Sequence, residues 1–99
     1  MSYRLKYTQT FEKQIEKIKK KDKALMEEAM KKVEKLQQIP YTGKPLEYRL
    51  APYRSVRVKG KYRLVYRVDR VDEEEKEVLL VAFGDRKEIY KFMMFLRGE

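Results

Sequence analysis

The side chains of this sequence that could carry out chemistry are those of lysine, arginine, tyrosine, aspartate and glutamate, because its 99 residues include no histidine and no cysteine. Cysteine nucleophiles, thiolate zinc sites, histidine bases and Ser-His-Asp triads are therefore excluded. Lysine and arginine together number 25 against 16 acidic residues, which gives a formal net charge of +9. We expect a site that uses neither a metal ion nor a cofactor and that binds a polyanion, since clustered Lys and Arg gain affinity for phosphates through counterion release.

The positive charge is concentrated in residues 41–71, where nine basic side chains stand against two acidic ones. Within this segment Arg57 and Arg63 flank a turn at Gly60, so that on two paired strands their guanidinium groups converge on one face. Like charges placed opposite one another cost energy unless a phosphate or an acidic chain neutralises them. The sequence therefore predicts an anion site at these two arginines. The alternative is ordinary surface pairing with a nearby carboxylate, namely Glu47, Asp69 or Glu88.

The apolar pattern of the first forty residues predicts the elements that precede this site. Alternation of apolar and basic residues over 3–8 predicts a strand. Apolar residues at helical spacing then predict a first helix, capped by Thr8 or Thr10. A second helix is predicted to begin after a cap at Asp22 and to end at Pro40, which gives a pair of consecutive helices.

The rest of the chain predicts a sheet and a final helix. Proline and glycine in 40–52 indicate a turn-rich connection with little regular structure. Residues 53–58 and 62–69 alternate around a glycine turn and predict a β-hairpin. The nearly all-apolar run 78–83 is typical of a strand covered on both faces. Residues 86–96 return to helical spacing and predict the last helix.

The predicted order β-α-α-β-β-β-α gives an antiparallel sheet with helices on one face, in the α+β class. A chain of this length forms one domain, residues 1–99, and we expect the functional site on the other face of the sheet. No uncharged run approaches the ~20 residues that span a bilayer, and the first residues lack the apolar stretch of a signal peptide. We therefore expect a cytoplasmic protein with no membrane partner.

Several segments resemble one known family. The motifs Gly-Lys-Pro-Leu at 43–46, Gly-Lys-Tyr-Arg-Leu-Val-Tyr at 60–66 and Phe-Gly-Asp-Arg-Lys-Glu-Ile-Tyr at 83–90 are similar to those of the RelE/ParE superfamily of type II toxins, in its RelE-like mRNA interferase branch. The order of elements also agrees, so the resemblance covers nearly the whole chain. It implies a microbial endonuclease that cuts messenger RNA in the ribosomal A site and is held inactive by a cognate antitoxin.

The resemblance also implies a set of catalytic residues. The basic residue on the first arm of the hairpin falls at Arg57, the arginine of the Tyr-Arg-Leu motif at Arg63, the arginine after the last strand at Arg86, and the C-terminal tyrosine at Tyr90. The family often has another Lys or Arg two residues before Arg57, where this chain has Ser55. The general base is therefore left open.

General chemistry assigns some of these roles. Arginine stays protonated at neutral pH, so it cannot act as a base, and its role is to stabilise negative charge on the phosphate. A lysine whose pKa is lowered by neighbouring cations could be the base, and the candidates are Lys44, Lys59 and Lys61. Tyr90 could stack on a base or lend its hydroxyl to the reaction. The alternative is that it packs beside the apolar stripe of the last helix, since it directly follows Ile89. Four basic residues are expected to bind RNA, namely Lys44, Arg54, Lys59 and Lys61, although Arg54 alternates onto the face opposite Arg57.

Three functions fit the sequence. The first is a ribosome-dependent endoribonuclease that cleaves through attack by the RNA 2′-hydroxyl. The second is a ParE-like toxin directed at gyrase, and the third is a non-catalytic module that binds nucleic acid or an antitoxin. The excess of basic residues predicts an acidic antitoxin segment, helical when bound and disordered when free.

Overall fold

The computed structural model describes residues 3–46, 50 and 52–98, and its elements follow the predicted order. They are β1 (Arg4–Tyr7), α1 (Gln9–Lys21), α2 (Lys23–Gln38), β2 (Lys44–Pro45), β3 (Tyr53–Val58), β4 (Tyr62–Arg70), β5 (Lys76–Asp85) and α3 (Arg86–Arg97). The α+β class is confirmed, and the two-residue strand β2 is an addition within the segment predicted to be irregular. No helix in the described ranges combines the length and the apolar character needed to cross a membrane.

The strands form one five-stranded sheet in the order β1-β5-β4-β3-β2. Strands β3, β4 and β5 pair antiparallel, as predicted, and β2 also pairs antiparallel, with β3. Strand β1 instead pairs parallel with β5, with Leu5 opposite Val78 and Tyr7 opposite Leu80, so the sheet is mixed. The prediction of a purely antiparallel sheet was wrong for this edge, because alternation in a short strand indicates its buried side but neither its partner nor its direction.

The hairpin of β3 and β4 fixes the position of the two arginines. Lys59 and Gly60 both have positive φ, at 47° and 82°, and reverse the chain within three residues. Glycine adopts this left-handed conformation without steric cost. In the resulting register Val58 lies opposite Tyr62 and Arg57 lies directly opposite Arg63. The predicted adjacency of the two arginines is confirmed.

The main core lies between the sheet and the pair α1 and α2. Both predicted caps are present: the Thr8 hydroxyl accepts a hydrogen bond from Phe11 N at 3.0 Å, and the Asp22 carboxylate accepts one from Leu25 N at 3.1 Å. These bonds satisfy backbone donors that the first turn of a helix leaves free. The buried side chains that meet here are Phe11, Leu25, Ala29, Val33, Leu36, Val58, Leu64, Tyr66, Val78, Leu80 and Phe83.

Helix α3 covers part of the opposite face of the sheet. Its buried Ile89 packs in a second, smaller core with Val65, Val81 and Ala82. Successive residues of a strand point to opposite faces, so Val65 lies on the face away from its neighbour Leu64 and from α1 and α2. The expectation that all helices share one face was therefore wrong. The apolar stripe of α3 shows that the helix packs on the sheet, but not on which side.

Candidate functional site

An open groove of about 670 Å³ lies between α3 and the β3–β4 hairpin, on the face of the sheet away from α1 and α2. Six of the side chains that line it are cationic, namely Lys44, Arg57, Lys61, Arg63, Arg86 and Arg97. No carboxylate is present among the described residues of this lining. Leu46, Ile89 and Met93 add apolar surface to it. The groove therefore suits a ligand that is anionic and partly apolar.

Arg57 and Arg63 meet at the hairpin end of the groove. They are cross-strand partners, so their Cβ atoms are separated by about 5 Å. Arg63 Nη1 donates a weak hydrogen bond to the hydroxyl of Ser55 at 3.3 Å. The side chain of Arg57 is exposed and makes no hydrogen bond or ion pair with any residue that the structure describes. Both guanidinium groups thus keep their charge available to a ligand.

The carboxylates that could have neutralised these arginines are engaged elsewhere. Asp69 pairs with Arg67 through an Nε–Oδ1 distance of 2.7 Å. Glu88 forms a capping box with Asp85 at the start of α3. Glu47 lies outside the described residues. Over the described ranges, no three acidic side chains form a group that could hold a metal ion.

Arg86 and Tyr90 lie one helical turn apart on the side of α3 that faces the groove. Arg86 Nη2 donates to the Tyr90 hydroxyl at 3.3 Å, and the Arg86 Cζ atom lies 5.6 Å from the centroid of the ring. The ring of Tyr90 is 52% exposed, whereas its neighbour Ile89 is buried in the core. Tyr90 is therefore part of the groove wall, and the packing role is taken by Ile89.

The junction of β5 and α3 sets the position of Arg86. Gly84 lies directly opposite Arg63 in the sheet, and α3 begins two residues later. Asp85 caps the helix by accepting from Glu88 N at 2.9 Å. A Cβ atom on Gly84 would lie 2.9 Å from the Glu88 Cβ, so glycine is needed for this close approach. Arg86 is thereby held across the groove from Arg63 by a junction with no loop.

The four residues predicted to bind RNA separate into two groups. Lys44 and Lys61 line the groove, and the Lys61 ammonium lies 5.6 Å from the centroid of the Tyr62 ring. Lys59 is exposed in the hairpin turn, outside the groove. Of the three lysines considered as general base, Lys44 and Lys61 are thus the two that the structure brings to the arginines.

Arg54 lies outside the groove, on the opposite face of β3. Its Nη1 donates to the carbonyl oxygen of Gly43 at 2.7 Å and to that of Tyr41 at 3.4 Å. Its Cζ atom lies 5.1 Å from the centroid of the Tyr41 ring. The guanidinium therefore joins β3 to the turn that precedes β2, and it cannot share a phosphate with Arg57.

Two groove residues were missed at the level of sequence. Ser55, treated there only as a departure from the family pattern, is 5% exposed and holds Arg63. Arg97 lies at the far end of the groove side of α3. Both could have been found from spacing: Ser55 shares a strand face with Arg57, and Arg97 follows Met93 by one helical turn.

Comparisons with known proteins agree with this architecture. A family model for the ParE toxin of type II toxin-antitoxin systems matches residues 5–90. The putative toxin RelE4 of Methanocaldococcus jannaschii is 30% identical over 89 residues, which are 90% of this chain and 92% of that protein.

Two solved structures share the fold. The YoeB/ParE toxin from Agrobacterium tumefaciens superposes with a TM-score of 0.75 at 22% identity, over 84% of this chain and 98% of that one. A chain of the RelBE2 toxin-antitoxin complex from Mycobacterium tuberculosis superposes with a TM-score of 0.67 at 28% identity, over 87% of this chain and 100% of that one. At 22% identity, the first of these similarities concerns the fold alone.

Proposed function

Because the chain belongs to the ParE toxin family, within the RelE/ParE superfamily of toxins of type II toxin-antitoxin systems, we propose that it is a ribosome-dependent endoribonuclease that cuts messenger RNA in the ribosomal A site. The observation that carries this proposal is the groove, in which Arg57, Arg63 and Arg86 gather with no carboxylate among the described lining residues. A phosphodiester of RNA brings the negative charge that such a cluster attracts.

The proposed reaction uses the nucleophile that RNA contains. The 2′-hydroxyl next to the scissile phosphate attacks the phosphorus in line, and the 5′-oxygen leaves, which gives a cyclic phosphate. Arg57 and Arg63, facing one another across the hairpin, hold the non-bridging oxygens as negative charge develops on them. Preorganised donors of this kind contribute about 2–4 kcal/mol each to stabilisation of the transition state.

In the proposed reaction, proton transfer is carried out by a lysine of the groove and by Tyr90. We assign acceptance of the 2′-hydroxyl proton to Lys44 or Lys61, because these two lysines line the groove together with the arginines. The Tyr90 hydroxyl, which accepts a hydrogen bond from Arg86, keeps its own proton for donation to the 5′-oxygen. Charge stabilisation by arginine does not itself align the 2′-hydroxyl, so we assign that alignment to the ribosome, which holds the message.

The proposed partner in the resting state is an acidic antitoxin segment. The structure of RelBE2 is that of a toxin-antitoxin complex, which supports a partner of this kind. On α3 the side chain of Met94 is exposed one helical turn after Tyr90, at the border of the cationic groove. An amphipathic acidic helix, disordered when free, would cover Met94 and neutralise the arginines together.

The experiment that tests the endoribonuclease is a comparison of one message with and without programmed ribosomes, read by primer extension. We expect cleavage within codons only in the tube that contains ribosomes. Arg57→Ala should abolish it, whereas Arg70→Ala, which removes an exposed arginine from the far end of β4, should cleave at the parental rate.

Two results would contradict the proposal. Equal cleavage in both tubes would indicate a self-sufficient ribonuclease. Growth arrest on inducible expression without any cleaved message would favour the second candidate, a gyrase-directed toxin, to which the match with the ParE family model points. Inhibition of DNA supercoiling in vitro would then identify it.

A further inference from the structure

A second, smaller pocket of about 270 Å³ lies beside the groove. It is lined by Tyr41, Pro45, Pro52, Tyr53, Arg54 and Val68. Pro45 lines both spaces, so β2 stands between the pocket and the groove. We propose that this pocket binds one unstacked base of a single-stranded RNA whose phosphates lie in the groove. The proposal rests on the proposed function, and it assigns a base-binding subsite outside the groove.

The walls of the pocket have the surfaces on which RNA bases stack. The ring of Tyr41 is 58% exposed and carries the guanidinium of Arg54 at 5.1 Å from its centroid. Tyr53, on the other side, has the guanidinium of Arg67 at 5.6 Å from its ring. Aromatic rings and guanidinium planes are the platforms that proteins present to splayed bases of single-stranded RNA.

The segment that carries Tyr41 is held in place before any ligand arrives. The buried hydroxyl of Tyr66 donates to the carbonyl of Pro40 at 2.6 Å and accepts from Gly43 N at 2.9 Å. Burial raises the pKa of the Tyr66 hydroxyl, so it remains a donor well above neutral pH. Arg54 adds a bond to the Gly43 carbonyl at 2.7 Å. Because hydrogen bonds hold the chain on both sides of Tyr41, this segment loses little conformational freedom when a ligand binds.

Size and charge favour a base over a segment of protein. The pocket is smaller than the ~300–1,000 Å³ that holds a drug-sized ligand, which suits one flat ring system. The described lining residues include a cation and no carboxylate, and Pro45 is the residue that borders both the pocket and the cationic groove. A single RNA strand can occupy both, with its phosphates on the groove arginines and one base beyond Pro45.

The test uses cleavage-resistant hexanucleotides of 2′-O-methyl RNA, in which each position in turn lacks its base. Affinities are measured by fluorescence anisotropy for the parent, Tyr41→Ala and Tyr41→Phe. The matched control is Tyr7→Ala, which removes a partly exposed tyrosine from β1 at the opposite edge of the sheet. Thermal melts verify that each variant is folded.

We expect one position at which loss of the base weakens binding to the parent about tenfold, the effect of one base–aromatic stack. Tyr41→Ala should bind the intact RNA about tenfold more weakly and should no longer respond to loss of that base. Tyr41→Phe and Tyr7→Ala should behave like the parent, since the phenylalanine ring also stacks.

Equal responses of the parent and Tyr41→Ala at every position would overturn the inference. So would weaker binding of an acidic antitoxin peptide by Tyr41→Ala with unchanged affinity for RNA, because the pocket would then belong to a protein partner. The experiments distinguish failure of this inference from failure of the proposed endoribonuclease activity. A base response at Tyr41 without cleavage on ribosomes contradicts the nuclease alone, and cleavage on ribosomes without a base response contradicts the pocket alone.

Discussion

Arg63 and Arg67 lie four residues apart on the same face of β4, yet their surroundings differ completely. Arg67 forms two bonds with Asp69, at 2.7 Å from Nε and 2.9 Å from Nη2. These bonds raise the pKa of Arg67 above its ordinary value. Among the described residues, the side chain of Arg63 bonds only to the neutral hydroxyl of Ser55, at 3.3 Å. One arginine is thus neutralised within the fold and the other is left for a ligand.

The difference follows from strand geometry. Residues two apart on a strand point to the same face, so Asp69 lies next to Arg67, while the residue two positions after Arg63 is the buried Val65. A phosphate that approached Arg67 would have to compete with a carboxylate already in place. The count of arginines in a sequence therefore overstates the charge that a polyanion can reach.

The largest expected effect comes from removing each arginine in turn. Arg63→Ala should lower the rate of message cleavage on ribosomes by about 10² to 10³-fold, since it removes a donor worth ~2.7–4 kcal/mol in the transition state. Arg67→Ala should leave that rate near the parental one. Single-turnover cleavage of ribosome-bound message measures both, and equal losses in the two variants would show that Arg63 has no special role.

A smaller effect is expected from placing a carboxylate next to Arg63, as Asp69 lies next to Arg67. Ser55→Asp would place a carboxylate beside the Arg63 guanidinium and should lower the cleavage rate about tenfold, or ~1.4 kcal/mol. The neutral variant Ser55→Asn, of similar size, is the control and should retain most of the activity. If Ser55→Asn loses as much as Ser55→Asp, crowding at this nearly buried position is responsible and charge is not.

The smallest effect is expected from removing the carboxylate that neutralises Arg67. Asp69→Asn removes the charge that neutralises Arg67 and should steepen the dependence of log Kd for single-stranded RNA on log salt by about 0.7. The free energy of unfolding should fall by less than ~1 kcal/mol, because both side chains of the pair are about one-third exposed, at 31% and 35%. A salt titration by anisotropy measures the slope, and an unchanged slope would mean that RNA does not reach Arg67.

The parts of the fold that were predicted correctly are those fixed by local pattern. The apolar residues Leu25, Ala29, Val33 and Leu36 of α2 recur at helical spacing, and all four are buried in the structure. A turn at Gly60 fixes the register of its hairpin, which is why the adjacency of Arg57 and Arg63 could be predicted. The direction of β1 and the side chosen by α3 depend on contacts between distant segments, which periodicity does not encode.

In the candidate site, too, some residues could be placed from local pattern and others could not. Arg86 and Tyr90 could be placed by resemblance together with helical spacing, and both line the groove. Lys59 was expected at the site and lies outside it, because a residue in a turn does not follow the alternation of the strands beside it. The partner of Asp69 could not be predicted either, since Arg63 and Arg67 are both near it in sequence and only the register and side-chain geometry distinguish them.

The pairing of β1 with β5 has a consequence for how the protein is made. Strand β1 is near the start of the chain and β5 near its end, and the hydrogen bond from the Thr8 hydroxyl to the Val81 carbonyl joins residues 73 apart. Contacts this distant form late, because the intervening chain must be ordered first. At ~5–20 residues per second, synthesis of the chain takes roughly 5–20 s. For most of that time the growing chain lacks β5 and α3, so the groove that carries Arg86 and Tyr90 can form only when synthesis of these elements is finished.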